Sequence, residues 1–458
     1  MAAKPSSQLL QLPLVILRIV VEDLYETDQN AYSNFRLVSR TCRNRSEYLL
    51  FRNITIDDRT AVSQSQSTKI LEKLKDSNGV TGEYIRHLKI GPFKDEDRFE
   101  IEISPMLVGI LKNAHSLQDL TWSMNCAPLP VMLDSFHEWH PSAHLHMILR
   151  NRKFNPLSRD ILSSPQLYTL DTEVYRIMPD DTERSLSELS LIKNSIAPSL
   201  QVLRLSSRGV HAYPQRAQFE GWEIIKHSTF NFDFQPGDRF PALLELALED
   251  DEFILSEENC DLWARATSWE RLERLDLYRG APRHFFASLT NRSTNLKYLR
   301  FYINSPTSNR TWDLHPLETG LLVLAKFFAS TASLHTLDFG VQDLDVLART
   351  LRVILQNLHG SLRNLTITSS GGGNYSGPID FIPGMLAWDL EHYMEVLELA
   401  PGLEHLDARI GEDAVVGDWK GRECYADSGK KWKTAEKKIK SKPKEKKQRS
   451  KKAQKLVW

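Results

Sequence analysis

The N-terminal hydrophobic pattern is denser than an ordinary amphipathic helix requires. From Leu14 to Leu24 the apolar positions are Leu14, Val15, Ile16, Leu17, Ile19, Val20, Val21 and Leu24. One core-facing stripe needs only about half the circumference of a helix to be apolar, and this segment is apolar almost all round. Pro13 suits the first turn of such a helix. A second helix is expected over Ala31–Ser39 and a third over Cys42–Leu50. Three short helices in about 45 residues bury little surface alone. The excess apolar face therefore calls for a partner, either elsewhere in this chain or on another protein.

The polar segment Asp57–Thr68 contains Ser-Gln-Ser-Gln-Ser and reads by composition as a linker or loop. Behind it, from about residue 69 to residue 410, the pattern Leu-x-x-Leu-x-apolar recurs. Clear copies are Ile85-Arg-His-Leu88-Lys-Ile90, Leu117-Gln-Asp-Leu120-Thr-Trp122, Leu200-Gln-Val-Leu203-Arg-Leu205 and Leu243-Leu-Glu-Leu246-Ala-Leu248. Further copies begin at Leu272, Leu296, Leu334, Leu362 and Leu403, with a degenerate one at Leu167. The starts are 24 to 50 residues apart, against about 20–29 residues for regular leucine-rich repeats. The spacing predicts an irregular strand–helix solenoid, with parallel strands on a concave side and helices on a convex side. Helices are expected over Pro105–Asn113, Leu186–Asn194, Glu318–Ala329, Asp343–Leu358 and Leu386–Leu399. The widest gaps, 123–166 and 206–241, are rich in proline and read as loops over a face or edge. The predicted fold class is α/β: a short three-helix unit at 8–56, a linker at 57–68, the repeat solenoid at 69–415 and a Lys-rich disordered tail at 416–458.

Charge sharpens that division. The formal net charge is −1, yet 14 of the 58 Lys and Arg and only 2 of the 59 Asp and Glu lie in 430–458. That leaves 44 basic and 57 acidic residues in the body, an acidic surface that does not attract nucleic acid through its net charge. The tail reads as a solvated end, as a nuclear-import signal or as a nucleic-acid contact. Four scattered cysteines with no Cys-x-x-Cys exclude a zinc ribbon or thioredoxin-type motif and suit a reducing compartment, cytoplasmic or nuclear. The Leu9–Leu24 stretch is interrupted by Gln11, Pro13 and Arg18 and is too short to span a bilayer. Val21-Glu22-Asp23 offers no small-residue cleavage site, so a signal peptide is not expected.

No catalytic constellation stands out, and an enzyme is not expected. His137-Glu-Trp-His140-Pro-Ser-Ala-His144-Leu-His146 lacks His-Glu-x-x-His, is broken by Pro141 and has no nearby cysteine. It reads as loop histidines, with no metal and no cofactor expected. Gly371-Gly372-Gly373-Asn374 lacks the order of a phosphate-binding loop and reads as a turn. Glu249-Asp250-Asp251-Glu252 reads as a solvated acidic loop.

The N-terminal unit resembles an F-box. The residues that carry the likeness are Leu12-Pro13-Leu14-Val15-Ile16-Leu17-Arg18-Ile19, Phe35-Arg36-Leu37-Val38-Ser39-Arg40 and Leu50-Phe51-Arg52-Asn53-Ile54. The chain departs from the family pattern at Val15, where Glu is common, and in having no Trp in the third helix. The likeness covers about a tenth of the chain, and the repeats behind it fit F-box proteins with leucine-rich repeats. It implies a substrate-receptor subunit of a Skp–cullin–F-box ubiquitin ligase, with the F-box on a Skp-type adaptor and the repeats on a protein substrate. The resemblance assigns Leu12, Pro13, Ile16, Ile19, Leu37 and Val38 to the adaptor contact or its immediate support; the alternative is that all six fill the unit's own core. A scaffold that works without a cullin is the rival function.

On the repeats, residues flanking the second Leu of each strand point away from the core. The copies at 272 and 296 set Arg274, Asp276 and Tyr278 beside Tyr298, Arg300 and Tyr302. Tyr and Arg are enriched in binding hot spots. Arg274, Tyr278, Tyr298, Arg300 and Tyr302 are therefore the expected substrate-binding residues, the alternative being a solvated face with an internal Asp276–Arg300 pair. The copies at 334 and 362 offer a blander surface.

Overall fold

The apolar first segment forms helix α1 (Leu14–Thr27), opened by Pro13, whose carbonyl accepts from Leu17 N–H at 3.0 Å. Asp28 ends α1 and caps α2 (Gln29–Val38), accepting from the backbone N–H groups of Asn30 and Ala31 at 2.9 Å each. Helix α3 (Arg40–Ser46) runs into a 3₁₀ turn at Glu47–Phe51. The three helices close on one small core of Leu17, Val21, Tyr32, Phe35, Cys42 and Leu49. Leu17 and Val21 lie four apart and so share a face of α1. The Tyr32 hydroxyl donates to the Ser46 carbonyl at 2.8 Å, pinning α2 to the end of α3.

The structure, a computed structural model, describes residues 12–76, 82–150, 152, 157–175, 182–208, 230, 232, 234–249, 257–277, 283–303, 317–341, 344–369, 396, 398–410, 413–418 and 423–426. Contacts divide the chain into two units, Met1–Trp222 with Phe232–Leu243, and Glu223–Asn231 with Leu244–Trp458. The first unit takes in the N-terminal helices together with half of the repeats.

In the first unit the chain continues as β1 (Asn53–Ile56), α4 (Ala61–Asp76), β2 (His87–Ile90), α5 (Glu96–Arg98), α6 (Ser104–Asn113), β3 (Asp119–Trp122), α7 (Pro130–Trp139), β4 (His144–Leu149), α8 (Arg159–Leu162), β5 (Leu167–Tyr175), α9 (Thr182–Ser195) and β6 (Val202–Arg208). A π-helical turn at Phe99–Ile103 joins α5 to α6. Strands β1 to β6 pair in chain order and all in parallel. Burial alternates along β2, β3 and β4. The leucines of the repeat point inward and the residues between them outward, as the two-residue period of a strand demands.

Three expectations change here. The segment expected as a linker, 57–68, enters α4 at Ala61. Ser67 is buried there, accepting from Asp57 N–H at 2.9 Å and donating to the Asp57 carbonyl at 2.7 Å. Gly91, just after β2, lets that strand's end pass close to Asp57, since a Cβ at that position would lie 2.5 Å from the Cβ of Asp57. The 123–166 gap, expected as irregular loop, holds a full helix–strand repeat, α7 and β4. Residues 53–56 are not the end of a helical domain but the first strand of the sheet.

The second unit runs β7 (Glu245–Glu249), α10 (Glu257–Ala266), β8 (Arg274–Asp276), α11 (Arg283–Leu289), β9 (Tyr298–Ile303), α12 (Leu317–Ala329), β10 (Thr336–Val341), α13 (Leu344–Leu358), β11 (Asn364–Ser369), β12 (His405–Ile410), β13 (Asp413–Asp418) and β14 (Glu423–Ala426). Strands β7 to β12 pair in parallel and β13 and β14 pair antiparallel. Regular structure therefore passes residue 416, where the tail was expected to begin. The core between strands and helices is aromatic: Phe301 stacks on Phe339 at 5.8 Å, and Phe286 meets Phe301 at 5.4 Å and Phe327 at 4.9 Å. Both units are thus α/β repeats in which Leu-x-x-Leu-x-apolar strands alternate with helices, the architecture of a leucine-rich repeat. Residues 371–395 and the Lys-rich segment from 427 onward, with the expectations made for them, lie outside the described residues, as does most of the 206–241 gap. Among the described residues no helix is long and apolar enough to cross a membrane.

Candidate interaction surfaces

The six residues assigned to adaptor contact are all exposed. Leu12, Pro13, Ile16 and Ile19 follow helical spacing on α1 and its lead-in, with Val15 on the same side. Ile19 is 56% exposed and Val15 68%. At the end of α2, Leu37 is 83% exposed and Val38 67%. The core uses a different set, so the alternative that all six fill the unit's own interior is overturned. Leaving a Leu, Ile or Val side chain wholly in water rather than buried forgoes about 1.5–3 kcal/mol, and these residues are exposed together rather than singly. A groove lined by Ser33, Arg36, Leu37, Ser39, Arg40 and Arg43 adjoins Leu37.

Polar pairs brace this helical unit. Glu22 takes Arg18 Nε–H at 3.0 Å and the Tyr48 hydroxyl at 3.0 Å. Burial alone would raise the Glu22 pKa, but these two hydrogen bonds outweigh it and lower the value. Burial, and then the hydrogen bond to Glu22, push Tyr48 up to about 12. Arg52 bonds Glu26 at 3.0 Å and Asn53 reaches the Tyr25 hydroxyl at 3.2 Å, tying α1 to the start of β1.

The second surface lies on the outward face of β7 to β10. Register sets Arg274 opposite Tyr298 and Asp276 opposite Arg300. The Arg274 guanidinium sits 3.6 Å from the centre of the Tyr298 ring, a cation–π contact. Arg274 also reaches Glu245 at 3.5 Å. Arg300 bridges two acids on neighbouring strands, Asp276 at 3.6 Å and Asp338 at 3.1 Å. Tyr302 lies across Gly340, where an added Cβ would meet its ring at 2.0 Å. Four of the five expected substrate residues, Arg274, Tyr298, Arg300 and Tyr302, thus share one face; Tyr278 lies outside the described residues. The patch also extends onto β10, expected to be bland, through Asp338. Burial raises the Asp338 pKa, and the attraction of Arg300 does not offset it beside the like charges of Asp276 and Asp407.

A third cluster was not foreseen. The histidines of 137–146, expected in a loop, divide between a helix and a strand. His137 on α7 bonds Ser164 at 2.8 Å, and His140, which ends α7, is buried against the Leu111 carbonyl at 2.7 Å. Burial lowers the pKa of both. His144 and His146 instead lie on β4 with their rings toward Asp119 of β3. Asp119 Oδ1 is 3.0 Å from His146 Nε2 and 3.3 Å from His144 Nδ1, and Oδ2 is 2.7 Å from His87 Nδ1. Burial would raise the Asp119 pKa, but the His146 hydrogen bond and the charges of His146 and His87 lower it. His87 and Asp119 occupy the same position of two successive repeats, the third residue of Leu-x-x-Leu. Superposing the repeats was the signal that finds them.

No family model matches the chain, and no curated protein matches it. Among solved structures it is similar to the leucine-rich repeat-containing protein LegL7 from Legionella pneumophila, at 12% identity and a TM-score of 0.39, over 76% of this chain and 98% of that one.

Proposed function

We propose that this chain is a protein-interaction subunit of a ubiquitin ligase, in which the N-terminal helices dock a Skp-type adaptor and the repeat sheet receives a protein substrate. The observation that carries the reading is the exposed apolar set Leu12, Pro13, Ile16, Ile19, Leu37 and Val38 beside a core built from other residues. A helix apolar on both faces is what a segment needs when one face closes its own domain and the other closes on a partner. The F-box likeness of the same residues names the adaptor and, through it, a cullin. In this reading the chain supplies surfaces and positioning, and the transfer chemistry belongs to its partners. The outward Arg–Tyr–Asp face of β7 to β10 is the proposed seat of the substrate, because its anchors are rigid, planar and held in register.

The test is an affinity capture of the tagged full-length chain beside a Leu12→Ala/Pro13→Ala variant and a Leu37→Ser variant. Adaptor and cullin recovered with the parent chain and lost with the variants is the expected result. Neither recovered with any of the three, all being folded by circular dichroism, would replace the ligase reading with that of a scaffold acting without a cullin.

A further inference from the structure

We propose that Asp119, His144 and His146 form a binding site for a divalent transition-metal ion of the zinc class, with His87 holding the carboxylate in place. One ligand atom from each of Asp119, His144 and His146 lies within 4.8 Å of the others. The two closest separations, 3.0 Å and 3.3 Å, match the edge of a coordination polyhedron. Bonds of about 2.0–2.1 Å place neighbouring ligands roughly 2.9–3.4 Å apart in octahedral or tetrahedral geometry.

The backbone supplies this geometry without strain. Residues two apart on a strand share a face, so His144 and His146 both rise from the outward face of β4. Parallel register puts Asp119 directly beside His144, and His87 beside Asp119 on the other flank. The surrounding bonds orient each ligand. His146 Nδ1 lies 2.9 Å from the Thr169 hydroxyl, which turns Nε2 toward Asp119 Oδ1, the side on which an ion would sit. His87 engages Asp119 Oδ2 at 2.7 Å and so presents Oδ1 to the two imidazoles. Partners of this kind beyond the ligands fix the tautomer and the carboxylate rotamer of metal sites. Two imidazoles and one carboxylate select zinc, cobalt, nickel or copper over magnesium or calcium, which take oxygen. His144 is half exposed and the cluster faces solvent, so an ion keeps positions for water or for a side chain of a bound protein. The site is independent of the ligase reading, since it uses no residue of either surface assigned there.

The experiment strips the full-length chain with a chelator and titrates it with Zn²⁺ by calorimetry, and with Co²⁺ by visible absorption. The expected result is saturable binding to the parent chain with a cobalt d–d band, a rise in melting temperature with Zn²⁺, and at least tenfold weaker binding in His144→Ala/His146→Ala. A His146→Gln variant, which retains a polar partner for Thr169, guards against a folding artefact and should weaken binding likewise. His87→Ala should weaken it about tenfold. No saturable binding to the parent chain, or equal binding and an unchanged cobalt spectrum in folded His144→Ala/His146→Ala, would overturn the site.

Discussion

Two rows of outward-facing side chains, one on β2 to β5 and one on β7 to β10, solve the same problem with different chemistry. Parallel register lines up like positions of successive repeats, so any charged position meets its counterpart about 4.8 Å away. In the first row one acid, Asp119, gathers three imidazoles. In the second one guanidinium, Arg300, gathers two acids. The outcome for the carboxylates is opposite: the Asp119 pKa is lowered and the Asp338 pKa is raised. Imidazole is a metal ligand, whereas guanidinium is not. The first row sets ligand-type nitrogens around one acid, and the second is a fixed pattern of charge and aromatic surface.

The largest expected effect tests what both rows owe to solvent. Arg152, 2% exposed, makes a paired contact with Glu188 at 3.1 Å to each oxygen. Arg152→Met strands a buried carboxylate and should cost about 3–5 kcal/mol in denaturant unfolding, much of it recovered in Arg152→Met/Glu188→Leu. An Arg152→Met loss as small as that of a surface pair would mean that water reaches this pair as it reaches the rows. Next comes the second row itself: Tyr298→Ala/Arg300→Ala should weaken substrate capture at least tenfold, about 1.4 kcal/mol, with adaptor recovery unchanged. Unaltered capture would reduce the row to a solvated face.

The two carboxylates give a smaller and more pointed contrast. Asp119, with its lowered folded pKa, stabilises the fold above the ordinary carboxylate range, and this is lost as pH falls through the folded value. Asp338, with its raised folded pKa, favours the fold in its protonated state, and that advantage is lost as pH rises through the folded value. At pH 7, therefore, Asp119→Asn should lower the melting temperature by about 2–4 °C, while Asp338→Asn should leave it unchanged or raise it. Shifts of the same sign in both would erase the distinction. The smallest effect on substrate capture is expected from Gly340→Ala, whose methyl displaces the Tyr302 ring. At this buried position the overpacking should cost about 1–3 kcal/mol of stability, and substrate capture should fall only a few-fold, as measured by the same affinity assay.

The repeat architecture was legible because its leucines are spaced by the strand period, and eight copies carry Leu at both leading positions with an apolar residue two places after the second. Strand β4 escaped because Ser142 rather than Leu stands three residues before Leu145, which breaks the Leu-x-x-Leu pattern. Helix α4 escaped because Ser63, Gln64, Ser65 and Gln66 mark a polar face as a linker, while its anchors Leu71 and Leu74 come later. The apolar excess of α1 pointed correctly to an unburied face, since a helix that small has one core side. The Asp119 cluster was not legible in any one segment. Its residues come from three repeats and meet only through register, which a linear reading of 137–146 does not reveal.

The passage from the 3₁₀ turn into β1 has a practical consequence. Only Arg52 separates Phe51 from Asn53, and the Arg52 carbonyl receives the N–H groups of Arg86 and His87 at 2.9 and 3.0 Å. A truncation at residue 57, the natural place to cut between helices and repeats, would carry away the strand that covers His87–Ile90. The repeats left behind would present a raw β-edge, which recruits strands from other chains. Aggregation of such a fragment would report on a misplaced cut rather than on any instability of the repeats.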